Sequence, residues 1–348
     1  MSEHAHRQLG VGLTPMETRR DVVLHVASRA EELGYDAFYL AEGWAHDAPV
    51  LLAEVATSTS RITLGTGVLN VWGRTPATIA MAAASLAEVS GGRFVLGLGA
   101  GSPPLAEGLH DVPFRDPVRR LGEVTRQVER LLSGERLVRS APGGVRPLRL
   151  GVRPAARIPI QLAALGPQAV RLAGELADAW NPFLLPVDGL KDGIRQLEDG
   201  AARVAGGRPL PQICPGVPVA VSADPGRALE LASWWVSFYL TSMGPLYART
   251  LRSHGFGDAV DAVLAAGVGA PLPEAARVLL DQLTAWGSGT EARQCLDRWY
   301  DAGADMPVIV LPPGADLDEL DATLDVLSRR GRPGSAPDGR RDADHATT

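Results

Sequence analysis

The chain has 348 residues, a length that fits about two average domains or one large α/β barrel. Its 39 Gly and 27 Pro residues indicate many short connections, and its net charge of −6 argues against a nucleic-acid-binding surface. The two cysteines, Cys214 and Cys295, suit neither a disulfide framework nor a zinc site. The chain also shows no signal segment and no run of about 20 apolar residues, so we expect a cytoplasmic protein without a membrane partner.

Apolar runs of strand length alternate with segments of helical period, which is the pattern of βα units around a parallel sheet. Gly34 ends the first helix, and Thr75 with Pro76 suits the start of the third. In chain order, strands are predicted at 10–13, 37–41, 62–69, 94–100, 159–163, 179–181, 213–221, 283–287 and 306–311. Helices are predicted at 18–33, 48–58, 76–88, 117–132, 168–176, 189–205, 226–239, 290–302 and 317–329.

This element order favours an α/β fold, a closed (β/α)8 TIM barrel in a single domain over residues 1–330, with an open doubly wound sheet as the alternative. Residues 241–282 are predicted to form a helical insertion near the C-terminal end, and the polar residues 331–348 a disordered tail. TIM-barrel enzymes place their chemistry at the C-terminal ends of the strands. The strand ends to inspect are therefore Leu13, Leu40, Leu69, Ala100, Ala163, Trp180, Val221 and Gly287.

Lys191 is the only lysine in the chain, and it lies in the polar stretch 188–193. A P-loop needs a lysine within Gly-Lys-Ser or Gly-Lys-Thr, and a Schiff-base enzyme needs one in an apolar site, so both classes are excluded. The chain also lacks the His-Glu-x-x-His motif of zinc hydrolases and the Gly-x-Ser-x-Gly motif of serine hydrolases. A cofactor phosphate would therefore rest on backbone amides, helix ends, hydroxyls or arginine.

Glycines near the strand ends indicate where a ligand could approach the barrel. Gly97, Gly99 and Gly101 share one face of their strand, and Gly65 and Gly67 share a face of the preceding strand. Either a flat ligand or close packing within the barrel explains such bare faces. Helices beginning near residues 76, 168 and 290 would point their N termini at the same opening, an arrangement that suits a phosphate group.

Acidic and imidazole side chains at strand ends are the candidate catalytic groups. Glu42 directly follows the second strand beside Trp44, where it could donate a proton or hydrogen-bond a cofactor ring, with a loop salt bridge as the alternative. Glu17 follows the first strand. His110 follows the fourth, although a lone loop histidine is more often solvated than catalytic. Trp44 and Trp72 could wall the substrate side.

The chain carries, in order, the segments DAFYLAEGW at 36–44, RITLGTGVLN at 61–70, RTP at 74–76, GGRFVLGLGAG at 91–101, AALGP at 163–167 and DAGAD at 301–305. Together they resemble the bacterial luciferase-like superfamily, and within it the coenzyme F420-dependent oxidoreductases such as methylenetetrahydromethanopterin reductase. The resemblance covers about residues 8–330. It implies a TIM barrel that binds F420, or alternatively FMN, at its strand ends, a small-molecule substrate, and a homodimer.

The resemblance also implies where the cofactor would lie. A non-prolyl cis peptide that backs the ring would map to Gly67-Val68. Glu42 falls where sugar-phosphate dehydrogenases of the family carry an aspartate, but the catalytic histidine that follows in those enzymes is Gly43 here, which argues against sugar-phosphate oxidation. The further positions that match cofactor contacts are Asn70, Ala100, Gly101, Leu165, Gly166, Gln168 and Ala169.

The implied reaction is hydride transfer from the reduced deazaflavin to a C=C or C=N bond of a small organic substrate. Glu42 is the first candidate for the proton donor, followed by Glu17 and His110. One alternative is an FMN-dependent luciferase-like monooxygenase, in which reduced flavin captures oxygen. Another is a non-catalytic cofactor-binding pseudoenzyme, which Gly43 in place of the histidine would favour. No metal is expected.

Overall fold

A computed structural model of the chain describes residues 7–138 and 143–328, in which strands and helices alternate along most of the chain. The strands are β1 Gly10–Leu13, β2 Ala37–Leu40, β3 Thr63–Thr66, β4 Leu69–Asn70, β5 Phe94–Gly99, β6 Ile160–Ala163, β7 Ala179–Asn181, β8 Gln212–Ile213, β9 Gly216–Val221, β10 Ala285–Gly287 and β11 Val308–Leu311. The tail at 331–348 that was predicted to be disordered lies outside the described residues.

The α-helices are α1 Arg20–Leu33, α2 Ala48–Ser58, α3 Pro76–Val89, α4 Pro117–Leu132, α5 Pro167–Leu176, α6 Leu190–Ala201, α7 Pro225–Ser242, α8 Pro245–Ser253, α9 Gly257–Ala266, α10 Val278–Leu283, α11 Gly289–Asp301 and α12 Leu317–Leu327. A π-helix covers Pro104–Leu109, and 3-10 turns cover Val187–Gly189 and Glu274–Ala276. Among the described helices, none has the length and apolar content needed to cross a membrane.

The strands form a parallel sheet that closes into a barrel. β1 pairs with β2 on one side and β11 on the other, and the order continues through β3, β5, β6 and β7 to β8. β8 and β9 act as one interrupted strand, because β8 pairs with β7, β9 pairs with β11, and Phe183 just beyond β7 bridges Gly216. This closure confirms the TIM barrel and excludes the open doubly wound sheet.

The pairing corrects one of the predicted strand ends. β10 pairs with the second half of β9, at Val219–Val221, and stands beside the ring rather than within it. The ring is completed instead by β11, whose Val308–Val310 pairs with the first half of β9 and which also pairs with β1. Leu311 therefore replaces Gly287 as the end of a barrel strand.

Local sequence signals explain the helix boundaries. α1 ends at Gly34, which adopts φ +80° and whose N–H bonds the last turn, as predicted for a C-cap. α3 begins at Pro76 after Thr75, whose hydroxyl accepts a hydrogen bond from the N–H of Thr78. The apolar face of α1 packs in the main core with the barrel strands and consists of Val22, Val23, Val26, Ala27, Ala30 and Leu33.

Two clusters of buried side chains lie below and above the space inside the barrel. A small cluster of buried side chains from β2, β7, β11 and the residues beside β8 and β11 lies inside the barrel and is called here the barrel plug: Ala37, Tyr39, Ala179, Cys214, Met306 and Val308. Above the C-terminal ends of the strands, α7 to α10 form a second apolar cluster around Trp235 and Tyr239. Residues 241–282 are thus mostly helical and contribute to the upper side of the barrel.

Candidate active site

A cavity of about 170 Å³ opens at the C-terminal ends of the barrel strands. The loops after β1 and β2, including Glu42 and Trp44, form one side of it, and the Gly67-Val68 segment forms another. Tyr39 and Val308 of the barrel plug form part of its floor. The cavity therefore lies where a TIM-barrel enzyme carries its chemistry.

The peptide bond between Gly67 and Val68 is cis, as the resemblance predicts. It separates β3 from β4, and both of its residues line the cavity. The hydroxyl of Thr66 spans the interruption, because Oγ1 donates to the carbonyl of Gly97 at 2.9 Å and accepts from its N–H at 2.8 Å. The sheet is thus kept together while the Gly67-Val68 segment, called here the bulge, faces the cavity.

The glycines of β3 and β5 serve this packing rather than the direct approach of a flat ligand. A Cβ at Gly97 would collide with the carbonyl oxygen of Thr66, and one at Gly99 would lie 2.6 Å from Cγ2 of Val68. A Cβ at Gly65 would collide with the ring of Tyr39. The space beside these three glycines is occupied by the bulge, by the Thr66 carbonyl and by Tyr39. Close packing within the barrel, rather than a flat ligand, therefore explains their lack of side chains.

Glu42 lines the cavity, and its side chain is held by an ion pair. One carboxylate oxygen pairs with the guanidinium of Arg74, and the other accepts from the N–H of Ala48 at 3.1 Å. Arg74 also pairs with Asp47. Burial opposes the charge on Arg74, but its bonds to the two carboxylates outweigh burial and raise its pKa. Glu42 therefore forms the loop salt bridge that was the alternative to a catalytic role, and it also faces the cavity.

Glu17 is buried, with its side chain 2% exposed, but it stands outside the cavity lining. Both of its oxygens accept hydrogen bonds from Arg19, at 2.9 and 2.6 Å, and Arg19 also donates to the carbonyl of Ala315 at 2.7 Å. Burial acts to raise the pKa of Glu17, and the bonds from Arg19 outweigh it and lower the pKa. The pair ties the loop after β1 to the loop after β11.

Asn70 and His110 are brought together at the end of β4. Nδ2 of Asn70 lies 3.3 Å from Nε2 of His110, and Oδ1 of Asn70 accepts from the N–H groups of Trp72 and Gly73 at 3.0 and 2.9 Å. Trp72 is buried, and its indole N–H donates to the carbonyl of Ala100 at 2.7 Å. Asn70, Trp72 and His110 thus stabilise the loops beside the cavity, and none of the three lines it.

The three predicted helix N termini differ in whether their own side chains occupy them. The hydroxyl of Thr75 caps α3, and Ser288 caps α11 together with Glu291, whose carboxylate bonds the Ser288 N–H at 2.7 Å. α5 begins after Gly166 with no side-chain cap. Gln168 and Ala169 lie in its first turn, and Leu165 precedes it, so α5 leaves its end open for an anion.

Ala100 and Gly101 follow β5, which pairs with β6, the strand that leads to α5. Gly101 adopts φ +63°, a conformation that favours glycine, and a Cβ there would lie 3.2 Å from Cβ of Asn70. Adjacent strands thus bring the 100–101 and 165–169 segments to the same edge of the barrel. In the described part of the chain, no group of three or more His, Cys, Asp or Glu side chains is placed to hold a metal ion.

Sequence reasoning missed several cavity residues. Gln161 of β6 and Asn181 of β7 face the cavity, and Nδ2 of Asn181 donates to the carbonyl of Cys214 at 2.7 Å. Gln161 had a recognisable signal, since it is the polar residue within an otherwise apolar predicted strand. Apart from Trp44, the aromatic part of the wall had no such signal, because it comes from the loop after β7 and from α7 and α8: Phe183, Tyr239 and Tyr247.

Comparison with known proteins agrees with this architecture. A family model described as luciferase-like monooxygenase matches residues 5–306. A Mycobacterium tuberculosis protein, provisionally named a coenzyme F420-dependent oxidoreductase, is 31% identical over 344 residues, covering 91% of this chain and 97% of its own.

Two solved structures have the same fold. The coenzyme F420-dependent tetrahydromethanopterin reductase of Methanopyrus kandleri superposes with a TM-score of 0.76 and 20% identity, over 93% of this chain and 98% of that one. An F420-dependent secondary alcohol dehydrogenase in complex with an F420–acetone adduct superposes with a TM-score of 0.74 and 19% identity, over 94% and 100% of the two chains. This chain belongs to the luciferase-like monooxygenase family of enzymes.

Proposed function

We propose that the protein is an F420-dependent oxidoreductase that passes a hydride between the deazaflavin and a C=C or C=N bond of a small, uncharged organic substrate. The observation that carries the proposal is the Gly67-Val68 bulge in the wall of the cavity at the strand ends, in a chain that aligns almost end to end with a relative named for this cofactor.

The residues present fit a deazaflavin with a phosphate-bearing tail. The bulge would back the ring, and the uncapped first turn of α5 offers backbone amides to a phosphate. The other proposed cofactor contacts are Leu165, Gly166, Gln168 and Ala169 at this turn, and Asn70, Ala100 and Gly101 at the ends of β4 and β5. No lysine is required, which agrees with a chain whose single lysine, Lys191, lies elsewhere.

The bound deazaflavin supplies or accepts the hydride at the central carbon of its ring. The bulge would hold that ring from one side, and the aromatic side chains of the cavity wall would shield it from water. Phe183 and Tyr239 pack with ring centroids 5.0 Å apart, and Tyr239 and Tyr247 with centroids 5.3 Å apart. Burial raises the pKa of both tyrosines, so their hydroxyls stay neutral near pH 7.

The cavity favours an uncharged substrate. Glu42 is the one Asp, Glu, Lys, Arg or His residue in its lining, and its carboxylate is paired with Arg74. The rest of the lining is apolar, aromatic or neutral and polar. Glu42 is also the proposed proton-transfer residue, because it faces the cavity, whereas Glu17 and His110 lie outside the lining and hold loops together.

Equilibrium titration with F420 and FMN side by side, followed by fluorescence quenching or absorbance, tests the proposal. We expect tighter binding of F420, and then substrate-dependent oxidation of reduced F420 over a panel of uncharged imines and enones. Tighter binding of FMN, with oxygen consumption by the reduced flavin complex, would overturn the proposal in favour of a monooxygenase. Tight F420 binding without turnover on any member of the panel would favour the pseudoenzyme.

A further inference from the structure

Gln161 carries a buried amide that the protein leaves without a partner. The residue is 0% exposed, and neither its Nε2 nor its Oε1 has a hydrogen-bond partner within the described residues. Buried polar side chains in folded proteins almost always have such a partner, because an unpaired amide loses its bonds to water and gains nothing. An amide that is unpaired at both ends therefore points to a ligand.

The surroundings of Gln161 show from which side a partner enters. Gln161 is in register with Gly97 of β5 and Ala179 of β7, and neither neighbour carries a polar side chain. Ala179 belongs to the barrel plug, which closes the barrel below. Gln161 itself lines the strand-end cavity. The cavity is thus the side open to a hydrogen-bonding group.

The bulge lies next to this amide. A Cβ at Gly97, the register partner of Gln161, would lie 3.0 Å from Cγ1 of Val68. A ring held against the bulge would therefore extend one of its edges toward Gln161. A side-chain amide presents a donor and an acceptor side by side, which complements an N–H next to a carbonyl, the lactam edge of a ring.

We propose that the side-chain amide of Gln161 binds the lactam edge of the deazaflavin ring through paired hydrogen bonds inside the barrel. The inference rests on the proposed function and extends it to a named residue. A neutral lactam suits this position, since the one charged lining residue, Glu42, is already paired with Arg74.

Gln161→Met tests the proposal, because methionine has a similar length and cannot form these bonds. We expect F420 affinity to fall roughly tenfold in equilibrium titration, while the Tm of the cofactor-free protein stays the same or rises, because an unpaired buried amide has been removed. The same fold loss is expected for the deazaflavin chromophore without its phosphate-bearing tail, since the lactam edge is unchanged. In the bound wild type, the ring carbonyl stretch is expected at lower frequency than in the variant.

Gln196→Met is the matched control, because Oε1 of Gln196 is also buried and unpartnered but stands outside the cavity. It should leave cofactor affinity unchanged. If Gln161→Met binds F420 with wild-type affinity, the inference is overturned and the proposed function remains intact. A lower Tm of this variant with unchanged F420 affinity would also overturn the inference and would indicate a structural role for Gln161. An equal affinity loss in both variants also overturns it. A wild-type protein that binds neither F420 nor FMN defeats the proposed function itself.

Discussion

Arg74 and Glu42 form an ion pair in the wall of the strand-end cavity, with side chains 15% and 6% exposed. Arg74 lies between β4 and α3, Glu42 follows β2, and the same guanidinium reaches Asp47 at the N-cap of α2. A single arginine thus joins the loop before α3 to both ends of the loop between β2 and α2 at the mouth of the barrel. Because the pair is largely sheltered from water, its electrostatic attraction is screened less than that of an exposed pair.

Glu42→Gln is expected to lower turnover roughly 100-fold with F420 affinity changed less than about threefold, because a carboxylate that moves a proton acts in the chemical step. Steady-state kinetics and cofactor titration measure the two effects. Asp47→Asn is the control, since it removes the other partner of Arg74 at an exposed position. Turnover that stays at the wild-type level in Glu42→Gln would remove Glu42 from the mechanism and leave it as a loop anchor.

Gly97→Ala is expected to destabilise the protein by about 1–3 kcal/mol, because the new methyl group collides with the Thr66 carbonyl beside the bulge. Urea unfolding measures the loss, and F420 affinity should fall with it as the bulge shifts. Gly108→Ala is the matched control, since a Cβ there meets nothing within 4 Å. Equal stability of the two variants would show that the bulge can be accommodated with a side chain at position 97 of β5.

Gln168→Glu places a negative charge at the second position of α5, where the cofactor phosphate is proposed to bind. We expect about fivefold weaker F420 binding at low salt and a smaller loss at high salt, because the repulsion is screened. The tail-less chromophore should bind as before. Thr290→Glu makes the same change at the second position of α11, which Ser288 and Glu291 already cap, and should have no effect. An equal loss in both variants would contradict the assignment of the phosphate to α5.

Glu31 predicts a pH dependence of stability. Burial acts to raise its pKa, but hydrogen bonds from the N–H groups of Ser60, Arg61 and Ile62 outweigh it and lower the pKa to about 2. A depressed pKa means that this stabilisation is complete above the ordinary pKa of 4.5 and is lost as pH falls toward about 2.

Glu31→Gln should therefore be less stable than the wild type at pH 7, and the difference should narrow between about pH 4.5 and 2. Urea unfolding across this range measures it. Glu32→Gln, at the neighbouring exposed position, is the control. A difference that is constant with pH would mean that the Glu31 carboxylate is not the group that titrates.

Local features of the sequence predicted most of the regular elements. The alternation of strand and helix periods gave their order, and Gly34, Thr75 and Pro76 marked helix ends because caps and first turns depend on a few adjacent residues. The ordered family segments placed the cis peptide at Gly67-Val68. The single lysine directed attention to helix N termini as anion sites.

Only the tertiary structure decided which strands closed the barrel and which side chains met. Periodicity reports which face of an element is buried but not its partner, so 283–287 and 306–311 looked alike until pairing with β9 separated them. The same holds for Arg74 with Glu42 and for the glycines filled by the bulge. The unpaired amide of Gln161 is also a property of the closed barrel, because a missing hydrogen bond becomes visible only when every neighbour is in place.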